Sequence, residues 1–180
     1  AGAAEIVSVE AHKEAFLRCL IAKEIYDLNR TKFLLGDFVQ YLENTDRDFD
    51  FIVASGVLYH MKDPMRLIEL IAKRSRMVML WTHFFDDQAM PKGDLRRVPF
   101  SEDVVEREFM GLNVRLHTRS YYNAWKANSF CGGPENSHYW MEKDQIIGMF
   151  QALGFNKIEV GLEEPGHQNG PCFAVCLQKT

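Results

Sequence analysis

The sequence predicts an α/β fold, a three-layer sandwich with a mostly parallel sheet and a C-terminal antiparallel hairpin. Three observations predict it. Short apolar, β-branched runs alternate with longer stretches of helical periodicity, the rhythm of βαβ units. The first four runs each stop at polar residues: Glu10, Asp37, Ser55-Gly56 and Thr82-His83. Strands whose carboxyl ends open onto a ligand crevice end this way. The last two runs, Lys157–Leu162 and Phe173–Gln178, are joined only by EEPGHQNG. A parallel return needs a dozen or more residues, so this pair must be antiparallel.

Taken in order, Ala1-Gly2-Ala3-Ala4 reads as the end of a helix with Gly2 as its cap. Ile6–Val9 is a strand ending at Glu10. From Ala11 to Leu28 the residues Ala15, Phe16, Cys19, Leu20, Ile25 and Leu28 keep helical spacing. Thr31–Leu35 is the second strand, followed by Gly36-Asp37-Phe38 and a helical turn or two to Leu42. Phe51–Ala54 is too short for a helix and suits a buried parallel strand. Ser55-Gly56 lets the backbone bend after it. Asp63-Pro64 then starts a helix to about Lys73, with Asp63 as N-cap and Pro64 at the first helical position. Arg76–Thr82 is the fourth strand. Residues 86–136 break the rhythm and read as an inserted lid or substrate segment in a single domain, 1–180. Order returns at Ser137–Trp140, with a helix from Met141 to Leu153 capped by Gly154.

Composition narrows the function. The chain of 180 residues, 47% apolar and 26% charged, suits one soluble globular domain. A net charge of -4 provides no basic field for nucleic acid. No apolar run approaches a membrane span, and no export leader opens the sequence, so the expected location is cytoplasmic. Cys19, Cys131, Cys172 and Cys176 form no CxxC pair and read as reduced thiols. His12, His60, His83, His117, His138 and His167 show no HxH, HxxxH or HExxH spacing, so no metal is expected.

The strand ends carry the candidate chemistry. Glu10 is placed to accept from two ribose hydroxyls; a solvated loop acid is the competing reading. Asp37 beside Phe38 suits an adenine amine and purine face, or a turn acid beside a core aromatic. Tyr59 and His60 follow the Ser55-Gly56 bend, and both exchange protons. His117, Tyr121, Tyr122, Trp125, His138 and Trp140 are candidate walls of an acceptor pocket, and His83 ends the strand beside the same crevice; a satellite hydrophobic cluster competes. Arg96, Arg97, Arg107, Arg115 and Arg119 suit an anionic acceptor. The acids Asp94, Glu102, Asp103, Glu106 and Glu108 among them favour a solvated charged face instead.

On IVSVE at 6–10, GDF at 36–38, DFDFIVASGVLYHMKDP at 48–64 and the terminal helix-Gly-Phe-strand-loop-strand at 142–178, the chain resembles the class I S-adenosylmethionine-dependent methyltransferases. Gly132-Gly133 with Ser137–Trp140 resembles a bacterial subgroup. The resemblance covers about residues 1–85 and 137–180. It implies S-adenosylmethionine as cofactor, with Glu10, Asp37, Phe38, Ser55 and Gly56 as its contacts. It implies His60, or Tyr59, as catalytic base for a small-molecule or sugar-like acceptor. The family's glycine-rich loop and first strand have no counterpart at Ala1-Gly2-Ala3. The sequence therefore reads as an N-terminally truncated methyltransferase domain. Two further expectations follow: a homo-oligomer whose partner supplies the sheet edge, or a non-catalytic module that has lost the cofactor and serves as an assembly partner.

Overall fold

A computed structural model describes residues 2–124 and 135–180. The chain forms two compact units, 1–47 and 48–180.

In the first unit β1 (Ile6–Glu10) pairs in parallel with β2 (Thr31–Leu35) through the crossover helix α1 (Lys13–Ile25). The helix is shorter than the sequence pattern predicts. His12 caps its start by accepting from Ala15 N at 3.4 Å, and Asp27 ends the following turn at φ 51. None of the helix's residues is buried, and Leu17, Leu20, Ile21 and Ile25 stay exposed. Asp37 caps α2 (Phe38–Asn44) by accepting from Val39 N at 2.7 Å, a bond whose loss costs about 1 kcal/mol.

The second unit holds two sheets. One has the order β3-β4-β9-β8, built from β3 (Ile52–Ser55), β4 (Met77–His83), β8 (Phe155–Glu164) and β9 (Cys172–Lys179). β3 and β4 are parallel, whereas β9 runs antiparallel to both β4 and β8. The terminal hairpin is thus as the short connection requires. Helix α3 (Pro64–Arg74) starts on Asp63, which accepts from Arg66 N at 3.1 Å, and buries Met65, Leu67, Ile68, Leu70 and Ile71.

The second sheet corrects the sequence reading of 86–136 as irregular. β5 (Phe100–Phe109) and β6 (Leu112–Ser120) form a long antiparallel hairpin, and β7 (Ser137–Met141) adds to β6. Val114 and Leu116 are fully buried on one face of β6. Because Met141 belongs to β7, helix α4 begins later than predicted and spans Lys143–Ala152. The predicted turn at Cys131–Pro134 lies outside the described residues.

Candidate active site

The cofactor candidates sit at strand ends. Glu10 ends β1 opposite Leu35 of β2, and Gly36 N donates to Glu10 O at 3.0 Å. One Glu10 carboxylate oxygen accepts from His12 N at 2.7 Å, which fixes the side chain beside the strand end. Asp37 spends one oxygen on the α2 cap, and Phe38 is half-buried next to it. Carboxylate acceptors at neighbouring parallel strand ends fit the hydroxyls and amine of an adenosine. In the second unit Ser55 ends β3 and is exposed. Gly56 follows at φ +75, a left-handed conformation that suits glycine, and its N–H donates to Trp81 O at 2.9 Å.

The second unit also gathers most of the predicted acceptor-site residues into one aromatic cluster. Strand pairing explains how. Arg119 faces His138 and His117 faces Trp140 across β6 and β7. Side chains two apart share a strand face, so Arg119, His138 and Trp140 lie on the same side. The 3₁₀ turn Leu58–His60 is held against this sheet, because Tyr139 N donates to Met61 O at 3.0 Å and Lys62 Nζ to Ser137 Oγ at 2.7 Å. Tyr121 follows β6 and stacks on His138, with centroids 4.0 Å apart. His60 Nδ1 is hydrogen-bonded to the Tyr121 hydroxyl. Tyr59 meets His83 edge-on at 4.7 Å and Trp140 at 5.9 Å. His83 stacks on Trp140 at 5.0 Å.

Electrostatics in this cluster are one-sided. Burial, then the Arg119 guanidinium and then His83 hold His60 down at about 4. Burial, then Arg119, His60 and Lys62 hold His138 at about 3. Burial also lowers His83 and Arg119. All three histidines are therefore neutral at pH 7. Among the described residues, the buried side-chain nitrogens without a hydrogen-bond partner are Arg119 Nε, both ring nitrogens of His138 and Trp140 Nε1. All four belong to this cluster.

Other predicted residues lie elsewhere. Tyr122 is exposed and its hydroxyl donates to Val98 O at 2.9 Å, so it is outside the cluster. Trp125 and Gly132-Gly133 lie outside the described residues. His117 stacks on Phe85 at 3.6 Å, and its Nε2 meets Glu142 Oε1 at 3.0 Å, a packed pair rather than a free base. Arg119 gave no sequence signal beyond one arginine among several acids. The alternation His117-Arg119-Tyr121 opposite His138-Trp140 marks it once the strands are paired.

A cavity of about 570 Å³ lies along β5 and β6, lined in part by Asp94, Arg97, Phe100, Arg115 and His117. The two arginines that line it are matched: Arg97 pairs with Asp87, and Arg115 with Glu142 at 2.7 Å. The unpartnered buried nitrogens lie in the aromatic cluster instead.

Three metal-ligating side chains do approach one another, despite their distance in sequence. The donor atoms of His83, His167 and Cys172 lie within 4.8 Å of each other. His83 keeps a free Nε2 lone pair, whereas His167 Nε2 and the Cys172 thiol hold protons. His83 Nδ1 must carry its proton, since it donates to Gly170 O at 2.9 Å and Pro171 O at 3.1 Å. His167 Nδ1 accepts from Asn169 N at 3.1 Å, which leaves the proton on Nε2. Burial raises the Cys172 thiol above its usual range. A metal would have to displace two of these protons. No described helix is long and apolar enough to cross a membrane.

No protein-family profile and no curated protein sequence matches the chain. Solved structures do. The N-terminal domain of EvdMO1 with SAH bound is similar at a TM-score of 0.71 and 18% identity, covering 98% of this chain and 65% of that one. An S-adenosylmethionine-dependent methyltransferase from Clostridium acetobutylicum ATCC 824 follows at TM-score 0.56 and 8% identity, covering 97% of this chain and 75% of that one. The glycopeptide N-methyltransferase MtfA gives 0.53 and 14%, covering 98% and 79%. The chain thus spans just under two thirds of the EvdMO1 domain's length. The fold is that of the class I S-adenosylmethionine-dependent methyltransferases.

Proposed function

We propose that this chain is a methyltransferase domain that uses S-adenosylmethionine to methylate a small-molecule or sugar-like acceptor. The observation that carries the reading is the fold shared with an SAH-bound domain along nearly the whole chain. In the first unit Glu10 would accept from the ribose hydroxyls, and Asp37 and Phe38 would hold the adenine. When bound, the cofactor supplies an electrophilic methyl group.

The chain's own residues would do the rest. Tyr59, His83 and Trp140 form an aromatic wall that excludes water, and displacement reactions gain from such desolvation and positioning. His60 would take the proton of the acceptor's nucleophile. It is neutral at pH 7, and its Nδ1 is occupied by Tyr121, so Nε2 is the atom that would act. That requires Nδ1 to keep its proton and donate it to the Tyr121 oxygen. Tyr121 then orients the base, as a third group orients catalytic histidines elsewhere. The sequence segment 86–136 would provide the acceptor's binding surface.

Calorimetric titration of the full chain with S-adenosylmethionine and SAH tests the reading. Saturable heat is expected, weakened at least tenfold in Glu10→Ala. A folded sample that gives no heat with either compound would refute it and leave the non-catalytic module as the better account.

A further inference from the structure

The arginines of residues 96–119 do not share one fate. Arg96 pairs with Asp94 at 2.6 Å, Arg97 with Asp87, Arg107 with Asp63 at 3.5 Å and Arg115 with Glu142 at 2.7 Å. Arg119 has no acid partner among the described residues. Its guanidinium lies over Trp140, 5.2 Å from the ring centroid, and 5.8 Å from that of Phe100. Among the described residues its titratable neighbours are the tyrosines Tyr121, Tyr59 and Tyr122, not carboxylates. A half-buried cation without a counter-charge is costly, and proteins keep one where a ligand completes it.

Its neighbours are unsatisfied in the same way. His138 is 1% exposed and neither ring nitrogen has a partner. Trp140 is 2% exposed and its Nε1–H has none. A neutral imidazole offers one N–H, and indole and guanidinium nitrogens only donate. A single acceptor with several lone pairs would satisfy these N–H groups together. Buried donors left open this way are rare and call for a specific occupant. Arg119 and His60 keep partial exposure, which gives that occupant a way in.

We propose that Arg119, His138 and Trp140 form a receptor for a compact oxyanion, a carboxylate or a phosphate, carried by the methyl acceptor. The assignment of the anion to the acceptor rests on the methyltransferase reading; the anion site itself does not. Arg119 supplies charge and an Nε–H, and His138 and Trp140 supply neutral N–H donors behind it. His60, 6.1 Å from His138 between ring centroids, would then stand beside the anchored end of the acceptor. Anchoring by a charged group also sets a specificity. An acceptor lacking the anion would leave these donors unpaired, a penalty that hydrogen-bonding sites use to reject analogues.

The test uses the full chain and three probes: benzoate, phenyl phosphate and the neutral benzamide. Dissociation constants are measured by calorimetry or ligand-observed NMR at low salt. We expect one or both anions to bind at least tenfold more tightly than benzamide. Which anion wins identifies the group. Arg119→Gln should cut anion affinity at least tenfold and leave benzamide unchanged. Trp140→Phe, which removes one N–H and keeps a ring, should weaken the anions several-fold and serves if the arginine variant does not fold. Equal binding of benzoate, phenyl phosphate and benzamide, or no binding of any, overturns the proposal. So does anion affinity that survives the substitutions. SAH titration of the same samples separates the two readings. Anion binding without SAH binding removes the methyltransferase and keeps the anion site; the reverse result removes only the anion site.

Discussion

Acidification from pH 7 to pH 5 protonates, in the unfolded chain, histidines that the folded chain holds neutral. His60 is held at about 4 and His138 at about 3, each below the ordinary value of 6.5. The groups facing them are Arg119, His83, Lys62, Tyr59 and Tyr121. No carboxylate is among these, so nothing rewards the imidazolium. The unfolded chain takes up protons as the pH falls through 6.5, while the folded chain waits until near 4 and 3. Stability is fully present above the unfolded value and is lost as the pH falls below it. Linkage makes the loss about 2 kcal/mol for each histidine between pH 7 and 5, and about 3 to 4 kcal/mol for the pair once solvent screening of half-buried His60 is allowed for. That is a large share of the 5–15 kcal/mol that holds a typical domain together. The assay is urea unfolding at half-unit steps between pH 7 and 5. His138→Gln should flatten the slope by about 1.4 kcal/mol per pH unit, the contribution of one proton. Stability that stays level from pH 7 to 5, or a slope that ignores both His138→Gln and His60→Gln, would refute the reasoning.

Two further substitutions probe the scaffold. Gly170 has φ +117, and a Cβ there would stand 2.7 and 2.8 Å from two Trp140 ring carbons; Gly170→Ala should cost about 3 kcal/mol in urea unfolding, and an unshifted midpoint would remove the packing argument. Glu142 accepts from Arg115 Nη1 at 2.7 Å and meets His117 Nε2 at 3.0 Å. Glu142→Ala leaves the buried imidazole without its partner and should cost about 2 kcal/mol at pH 8, so an unaltered melt would assign that pair no weight.

How much of this was legible depends on which face of a strand met water. Arg76–Thr82 buries Val78 and Leu80, whereas Phe51 and Val53 stay exposed, against the expectation of a buried strand at 51–54; both runs nonetheless pair in parallel as read. The terminal hairpin followed from chain length alone. The hairpin of β5 and β6 did not, for two reasons. Glu102, Asp103, Glu106 and Glu108 on β5 are exposed, so the strand looks like a charged loop. On β6, Leu112, Val114 and Leu116 alternate as a half-buried strand should, yet His117 is 3% exposed because it stacks on Phe85. A polar residue buried by pairing erases the alternation that signals a strand. Single residues at strand ends were readable as candidates because they punctuate apolar runs. The cluster of Arg119, His138 and Trp140 was not, since it exists only through the register of β6 on β7.

The same register decides what the site can do. The face of β6 that carries Val114 and Leu116 closes an apolar core, and its opposite face collects histidine, arginine, tyrosine and tryptophan. Apolar replacement of Arg119 Nε, His138 and Trp140 Nε1 would forfeit no side-chain hydrogen bond among the described residues. Instead four buried nitrogens stand open there, each at a cost of about 1–3 kcal/mol. The other arginines nearby are neutralised by acids of the chain itself, so unmatched charge is not a general feature of this surface. On the anion-site proposal, an acceptor that brings a negative charge completes these nitrogens from outside.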